Sequence, residues 1–278
     1  MSSPLVTVIC LCHNQAPFVA EAIQSVWDQN YTNVELIVVD DGSTDGSKES
    51  IKEILKGSST VFIDLDKSVG NCTAFNQGLK KAKGEFIIDL AADDILYPKR
   101  VSEGIKSFEI KTGINFCDVM MLNEEGDHIK SHYKRDENGV LLETVPVGNI
   151  YKELISSYFV SPPSMMIRKI VLQELGGYDE DLSYEDFDFW IRSSRGWKYS
   201  FTNEILVGKR TVKNSLSDKQ FQFRSRHQKS TLKVCKKIKH LNKSREEESA
   251  LRKRCLYEIK LCLRYGNLEL IPQFLKLI

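Results

Sequence analysis

No apolar run in these 278 residues approaches the roughly 18 residues that a bilayer-spanning helix requires. Met1-Ser-Ser-Pro leads directly into a strand-like run, without the basic and apolar regions of a secretory leader, so a cytoplasmic protein is expected. The seven cysteines (10, 12, 72, 117, 235, 255 and 262) are odd in number and scattered, and none form a Cys-x-x-Cys pair. That argues against structural zinc and against a disulfide framework, and small buried thiols are expected instead. Internal repeats and low-complexity segments are also missing.

What is present is an ordinary globular composition with an uneven charge. Hydrophobic residues make up 41%, enough for a sizeable core. The net charge of +1 conceals a division. Residues 218–278 carry 16 Lys/Arg against 6 Asp/Glu, which leaves 23 against 32 for residues 1–217. An acidic body is followed by a basic tail.

Apolar strand-like runs alternate with helical patterns through the first 98 residues, which implies an α/β fold with a mostly parallel, Rossmann-like sheet flanked by helices. Leu5–Leu11 reads as a buried strand ending at Cys12-His13-Asn14, and a helix follows through Gln29. Glu35–Val39 is the second strand and stops at Asp40-Asp41-Gly42-Ser43-Thr44-Asp45, where Ser43 or Thr44 can cap the next helix. Val61–Leu65 reads as a third strand and Val69–Lys83 as a helix closed by Gly84.

The run Phe86–Ala92 then delivers Asp93 and Asp94 at its carboxyl end, where ligands sit in open α/β sheets. Two adjacent carboxylates are costly to ionise together without a cation, and hard oxygen ligands favour Mg²⁺ or Mn²⁺ completed by phosphate oxygens. A solvated Asp-Asp turn is the competing reading. Beyond Pro98, short strand-like pieces (115–122 and 139–144) precede a short helix at 150–158, a strand at Ser164–Arg168 and a helix at 169–175 stopped by Gly176-Gly177. Glu185-Asp186 opens an amphipathic helix, at the end where carboxylates are electrostatically favoured in any case.

In register, these pieces resemble the family 2 glycosyltransferases of the GT-A fold. The matching pieces are Val8-Ile9-x-x-x-His13-Asn14, Glu35-Leu36-Ile37-Val38-Val39-Asp40-Asp41-Gly42-Ser43, Gly84-Glu85-Phe86-Ile87 into Asp93-Asp94, Gly176-Gly177-Tyr178-Asp179, and Glu185-Asp186 through Arg192. The likeness covers about residues 4–217 and implies a catalytic domain at 1–217, with a nucleotide-sugar half at 1–98 and an acceptor half at 99–217.

It further implies an inverting transfer of a sugar from a nucleotide-sugar, UDP- or dTDP-type favoured, to a hydroxyl in polysaccharide, glycan or glycolipid synthesis. By the family's pattern Asp94 holds Mn²⁺ or Mg²⁺ most directly, and Asp93 contributes to it or bonds the ribose or donor sugar of the nucleotide-sugar. Asp41, or less readily Asp40, accepts from the base, and His13 with Asn14 lies beside it. Asp186 is the catalytic base with Glu185 as the fallback, and Arg210 is a phosphate-facing candidate. Departures are Ala91 for the first Asp of Asp-x-Asp-Asp, Ser68 and Phe75 for an Asn and an Arg, and Val212 for the His of Arg-x-His.

The rivals are a sugar-phosphate nucleotidyltransferase and a non-catalytic nucleotide-sugar-binding protein. The first lacks its Gly-rich loop here, since Cys12-His13-Asn14-Gln15 holds no glycine. The tail at 218–278 reads as helical: Lys233, Lys236, Lys237, Lys239, Lys243 and Arg245 flank an apolar stripe, a composition that suits either an anionic membrane surface or a solvated lid or homodimer face. No nucleic-acid module accompanies the charge.

Overall fold

The computed structural model describes residues 3–212 and 223–278. The first few residues of the proposed 218–278 extension therefore lie outside the described part. The chain runs β1 (Val6–Cys12), α1 (Val19–Trp27), β2 (Val34–Asp40), α2 (Ser47–Ile54), β3 (Val61–Asp64), α3 (Asn71–Lys81) and β4 (Phe86–Ala91). It continues with β5 (Ile95–Leu96), α4 (Arg100–Lys106), β6 (Thr112–Leu122), β7 (His128–Ser131), α5 (Tyr151–Ser156), β8 (Met166–Arg168) and α6 (Lys169–Leu175). Then come α7 (Asp186–Ser193), β9 (Lys198–Arg210), α8 (Arg226–Leu241), α9 (Arg245–Tyr265) and α10 (Ile271–Leu275).

One sheet has the order β3-β2-β1-β4-β8-β6-β9-β5, with β7 beside β6. Strands β3, β2, β1 and β4 are mutually parallel, and β6 and β9 form a second parallel pair. Between these two blocks β8 runs antiparallel to both neighbours. Side-chain alternation gives the sheet two apolar faces. Val8, Cys10, Ile88 and Leu90 pack with Ile23 of α1, Ile51 of α2 and Val101 of α4. On the other face Ile9, Ile37, Val39 and Ile87 pack with Phe75, Leu172, Phe187 and Trp190. The cysteines are free and buried, as composition suggested.

Several local expectations need correction. Helix α2 begins at Ser47 behind Gly46 in the left-handed region, so neither Ser43 nor Thr44 caps it. Ser43 Oγ instead accepts from the Asn14 N–H at 2.9 Å, which ties the first strand-end loop to the second. Residues 139–144 form no strand, only an isolated bridge between Arg135 and Leu141. Strand β9 had no counterpart in the sequence reading.

The tail folds back on the body. Leu232, Cys235, Ile238, Leu251 and Cys255 join the same core as Phe187 and Trp190. Part of the cationic side of α8 is spent there or within the tail. Lys237 pairs with Asp179 at 2.5 Å and with Asp188 at 2.6 Å, Lys239 pairs with Glu248, and Lys233 donates to the Asp181 carbonyl. The expected free face of α8 is thus in part a clamp on its own domain, and some of the charge division is an intramolecular contact. Asp188 is almost wholly buried. Lys237→Met removes one of its two cations and leaves Arg192 as the other. The expected cost is about 2 kcal/mol, read as a lower urea midpoint at unchanged slope. An unchanged midpoint would show that α8 is held by its apolar stripe alone.

Candidate active site

Because β1, β2 and β4 are parallel, their carboxyl ends open on one edge. Cys12 stands opposite Asp40 in the ladder, and the Asp41 and Ala92 N–H groups extend the pairing to Cys12 O and Leu11 O, at 2.8 Å each. His13-Asn14, Asp40-Asp41 and Asp93-Asp94 are thereby collected at this edge.

Asp41 is buried and well supplied with donors. Its carboxylate accepts from Val69 N–H at 2.6 Å, Ser68 Oγ at 2.7 Å and Gly70 N–H at 3.1 Å. A carboxylate offers about four acceptor positions, so roughly one stays open. The loop at 67–68 reaches Asp41 because residue 42 is glycine: φ is +66°, and a Cβ there would stand 2.4 Å from the Lys67 carbonyl carbon. Ser68, one of the departures noted above, thus works as a second donor to Asp41.

Asp40 turns inward. Its Oδ2 accepts from Ser43 N–H at 2.9 Å, and its Oδ1 finds no hydrogen-bond partner. His13 is exposed, and its Nδ1 lies 2.7 Å from the Asp41 carbonyl oxygen. Only an Nδ1–H can serve a carbonyl, so Nε2 is the nitrogen left facing the Asn14 amide at 3.4 Å. Asn14 has φ of 56° and accepts from Thr44 N–H, which locks the first two loops together.

Asp93 is half-buried and Asp94 is buried. Asp93 Oδ2 accepts from Gln15 Nε2 at 3.3 Å, and Asp94 Oδ1 accepts from the Arg210 N–H at 2.9 Å. Burial first, and then the Asp93 charge, push the Asp94 carboxyl up to about 8, and burial raises Asp93 as well.

The expected phosphate-facing part for Arg210 does not match its geometry. Its guanidinium lies over the Phe18 ring and donates to Glu21 Oε2 at 2.6 Å, the Glu124 carbonyl at 2.8 Å and the Asp93 carbonyl at 3.2 Å. With all three nitrogens engaged, Arg210 braces the Asp93-Asp94 turn.

Glu185 and Asp186 open α7. Glu185 Oε2 accepts from Asn71 Nδ2 at 2.5 Å, so the first residue of α3 joins the loop that holds Asp41 to the amino end of α7. Asp186 Oδ1 accepts from Phe187 N–H. Burial, then the Glu185 charge, push Asp186 up to about 7, and burial raises Glu185 too.

The two acid pairs share one neighbour, Lys209 on β9. Its ammonium favours the ionised forms of Asp93, Asp94, Glu185 and Asp186 alike, yet it closes an ion pair with none of the described residues. Alternation along β9 turns Lys209 to the opposite face from Arg210.

A second residue also escaped the sequence reading. Asp89 lies within β4 on the same strand face as Ala91, and burial followed by the Glu185 charge raises it far above the ordinary carboxylate range. A lone acid inside an apolar run was the available signal. Phe75, where the resembling family often has an arginine, is buried and stacks on Tyr178 at 4.1 Å between ring centroids. Helix α3 therefore sends no cation into the site from that position.

No group of three or more ligating side chains occurs among the described residues. Two carboxylates, each with one oxygen free of a hydrogen bond from a described residue, nonetheless fit an ion whose remaining ligands are substrate phosphates and water.

A mostly parallel sheet with acids gathered at its carboxyl edge, closed by a helical C-terminal part, is the GT-A arrangement of nucleotide-sugar enzymes. Two solved structures share it at 16% identity. The Pyrobaculum calidifontis mannosyltransferase in complex with GDP-Man and Mn²⁺ superposes with a TM-score of 0.68 over 99% of this chain and 74% of its own. Staphylococcus aureus TarS 1–349 in complex with UDP-GlcNAc gives 0.70 over 98% and 79%. The sequence description of glycosyl transferase family 2 matches residues 7–176, and the chain belongs to that family. An uncharacterised glycosyltransferase of Methanocaldococcus jannaschii is 31% identical over 217 residues, 74% of this chain and 71% of the relative. One from Rickettsia typhi is 29% identical over 213 residues, and the match spans 75% of this chain but only 64% of that relative's length.

Proposed function

We propose that this glycosyltransferase moves a sugar, with inversion, from a nucleoside-diphosphate sugar to a hydroxyl acceptor during polysaccharide, glycan or glycolipid synthesis. The observation that supports the reading is that two acid pairs from distant segments, Asp93-Asp94 and Glu185-Asp186, both feel the charge of Lys209, an ammonium that closes no ion pair with a described residue. Residues 1–98 supply the donor half and residues 99–217 the acceptor half. The open acceptor position of Asp41 takes an N–H of the base, with His13 alongside, and uracil or thymine offers a single such N–H at its edge.

Asp186 takes the acceptor's hydroxyl proton as its oxygen bonds to the anomeric carbon. The bond from that carbon to the diphosphate breaks, and its electron pair leaves with the diphosphate. Asp93 and Asp94 would hold Mn²⁺ or Mg²⁺, which supplies Lewis-acid stabilisation of the departing charge. Lys209 adds a fixed positive charge from the protein at the same place, replacing the cation that α3 does not provide. Arg210 acts as a positioning residue through its hold on the Asp93-Asp94 turn.

The test is release of nucleoside diphosphate from a panel including UDP-GlcNAc and GDP-Man, with Mn²⁺ and without acceptor. Slow release from at least one donor is expected. Lys209→Met should raise the donor KM about 10-fold, the scale of one charge-assisted contact. Donor binding with neither hydrolysis nor transfer, under any divalent ion and across an acceptor panel, would instead establish a non-catalytic binding protein.

A further inference from the structure

The basic residues singled out above at 233–245 stay largely exposed, but Lys237 is spent on the body. Helix α9 carries a further basic face outward. Arg252, Lys253, Lys260 and Arg264 are all exposed there, and none forms an ion pair with a described residue. Between them stand Leu256, Tyr257 and Leu263, at 43%, 49% and 61% exposure. At 3.6 residues per turn these seven side chains fall within an arc of about 140°. The opposite side of α9, Leu251, Cys255 and Cys262, is fully buried against the body. The helix is therefore satisfied inward and still presents three large apolar groups outward.

We propose that this outer face of α9 docks on an anionic lipid surface. The choice of occupant follows from charge. Glu246, the second residue of α9, is the only acidic side chain exposed along this arc. A second copy of the chain meeting it through a twofold axis would set the same four cations against themselves, which opposes an isologous dimer. A polyanion without an apolar phase satisfies the cations but leaves the two leucines in water. A bilayer of anionic lipid satisfies both, with headgroups for the cations and the acyl boundary for Leu256, Leu263 and the Tyr257 ring.

The amino-terminal end of the face runs into an open hollow of about 610 Å³ between α5 and α9, where Lys152, Arg245 and Lys253 stand beside Glu153 and Glu246. None of the acid-site residues lines it. No helix among the described residues is long and apolar enough to cross a membrane, so the attachment is peripheral. The inference stands apart from the transferase reading, because the probe is a vesicle with no substrate present.

The experiment is co-sedimentation of the full chain with phosphatidylcholine vesicles, with and without about 30% phosphatidylglycerol. Binding is expected only to the anionic vesicles, and it should weaken at least ~10-fold between about 50 and 500 mM salt. A Lys253→Glu/Lys260→Glu/Arg264→Glu variant should lose about 100-fold in partitioning. Leu256→Ser/Leu263→Ser should lose about 10-fold. A Lys80→Glu/Lys81→Glu/Lys83→Glu change at the carboxyl end of α3 matches the loss of charge elsewhere and should leave partitioning within about twofold. All of these positions are exposed, and unchanged thermal unfolding verifies that each variant folds.

Absence of binding to anionic vesicles overturns the proposal, and so does equal loss in the α3 control. Retention of full binding by the serine variant overturns the insertion of the leucines. A dimer in light scattering that the charge-reversed variant dissolves, with no vesicle binding, assigns the face to a second copy.

Discussion

Asp186→Asn is expected to lower kcat for sugar transfer by about 10³-fold while leaving the donor KM within about threefold. The substitution conserves shape. The amide oxygen can still accept from Phe187 N–H, which holds the side chain at the amino end of α7. What is lost is a group able to accept the acceptor's proton. The pH dependence gives an independent reading. Burial and the Glu185 charge place the Asp186 proton loss near 7, so kcat/KM should climb through that range in the wild type. The limb should vanish in the asparagine variant. Glu185→Gln separates the two acids. Its carboxylate is tied to Asn71, so the loss should be smaller, about 10-fold, and should come through displacement of Asp186. If instead Glu185→Gln abolishes transfer and Asp186→Asn leaves most of it, the roles are exchanged.

Asp94→Asn is expected to separate stability from function. The folded Asp94 holds its proton up to about pH 8, whereas an ordinary carboxyl of pKa 3.8 does not. Between those values the folded state binds the extra proton. Stability from this group is thus complete below about pH 4 and is lost as pH rises through about 8. Without added metal, the wild type should lose on the order of 3 kcal/mol between about pH 5 and 8.5. Asparagine cannot ionise, yet keeps an acceptor for the Arg210 N–H, so the variant should be flatter in pH and more stable at the alkaline end. In the wild type, Mn²⁺ and a nucleoside diphosphate together should raise Tm more than the sum of either alone, since two carboxylates leave most of the coordination to the phosphates. That synergy should disappear in Asp94→Asn. A wild type whose stability rises with pH through this range would show that Asp94 is already ionised and compensated by other groups.

The amino-terminal half was legible because each strand, turn and helix there carries its own local signals. Alternation of short apolar runs with helical spacing yields parallel strands, and the acids follow at the strand ends. The later sheet is built from partners far apart in sequence. Strand β9 pairs with β6 residues more than 80 positions earlier, and its middle holds the polar Asn203-Glu204, so no periodicity announces it. Lys209 and Asp89 each depend on which side of a strand faces the cleft, and that is settled only by the register. Arg210 shows the same limit from the other side. A conspicuous arginine in the expected place has its guanidinium taken up by Glu21, Glu124 and Asp93, partners that lie far away in the sequence. On the tail, the lysine run of α8 was visible, but its acidic counterparts, Asp179 and Asp188, lie in another segment, so their pairing could not be read from the run itself.

The reversed strand β8 sits between two blocks that both run the other way. While the polypeptide is being synthesised, β1 to β4 can assemble early, but the outer edge of β4 has no partner until residues 166–168 have emerged. During that interval an uncovered row of backbone N–H and carbonyl groups is open to any extended segment nearby. Nascent chains stalled between β4 and β8 should therefore be the species most prone to aggregate or to engage chaperones, and changes that delay β8 should lower yield without altering the finished enzyme.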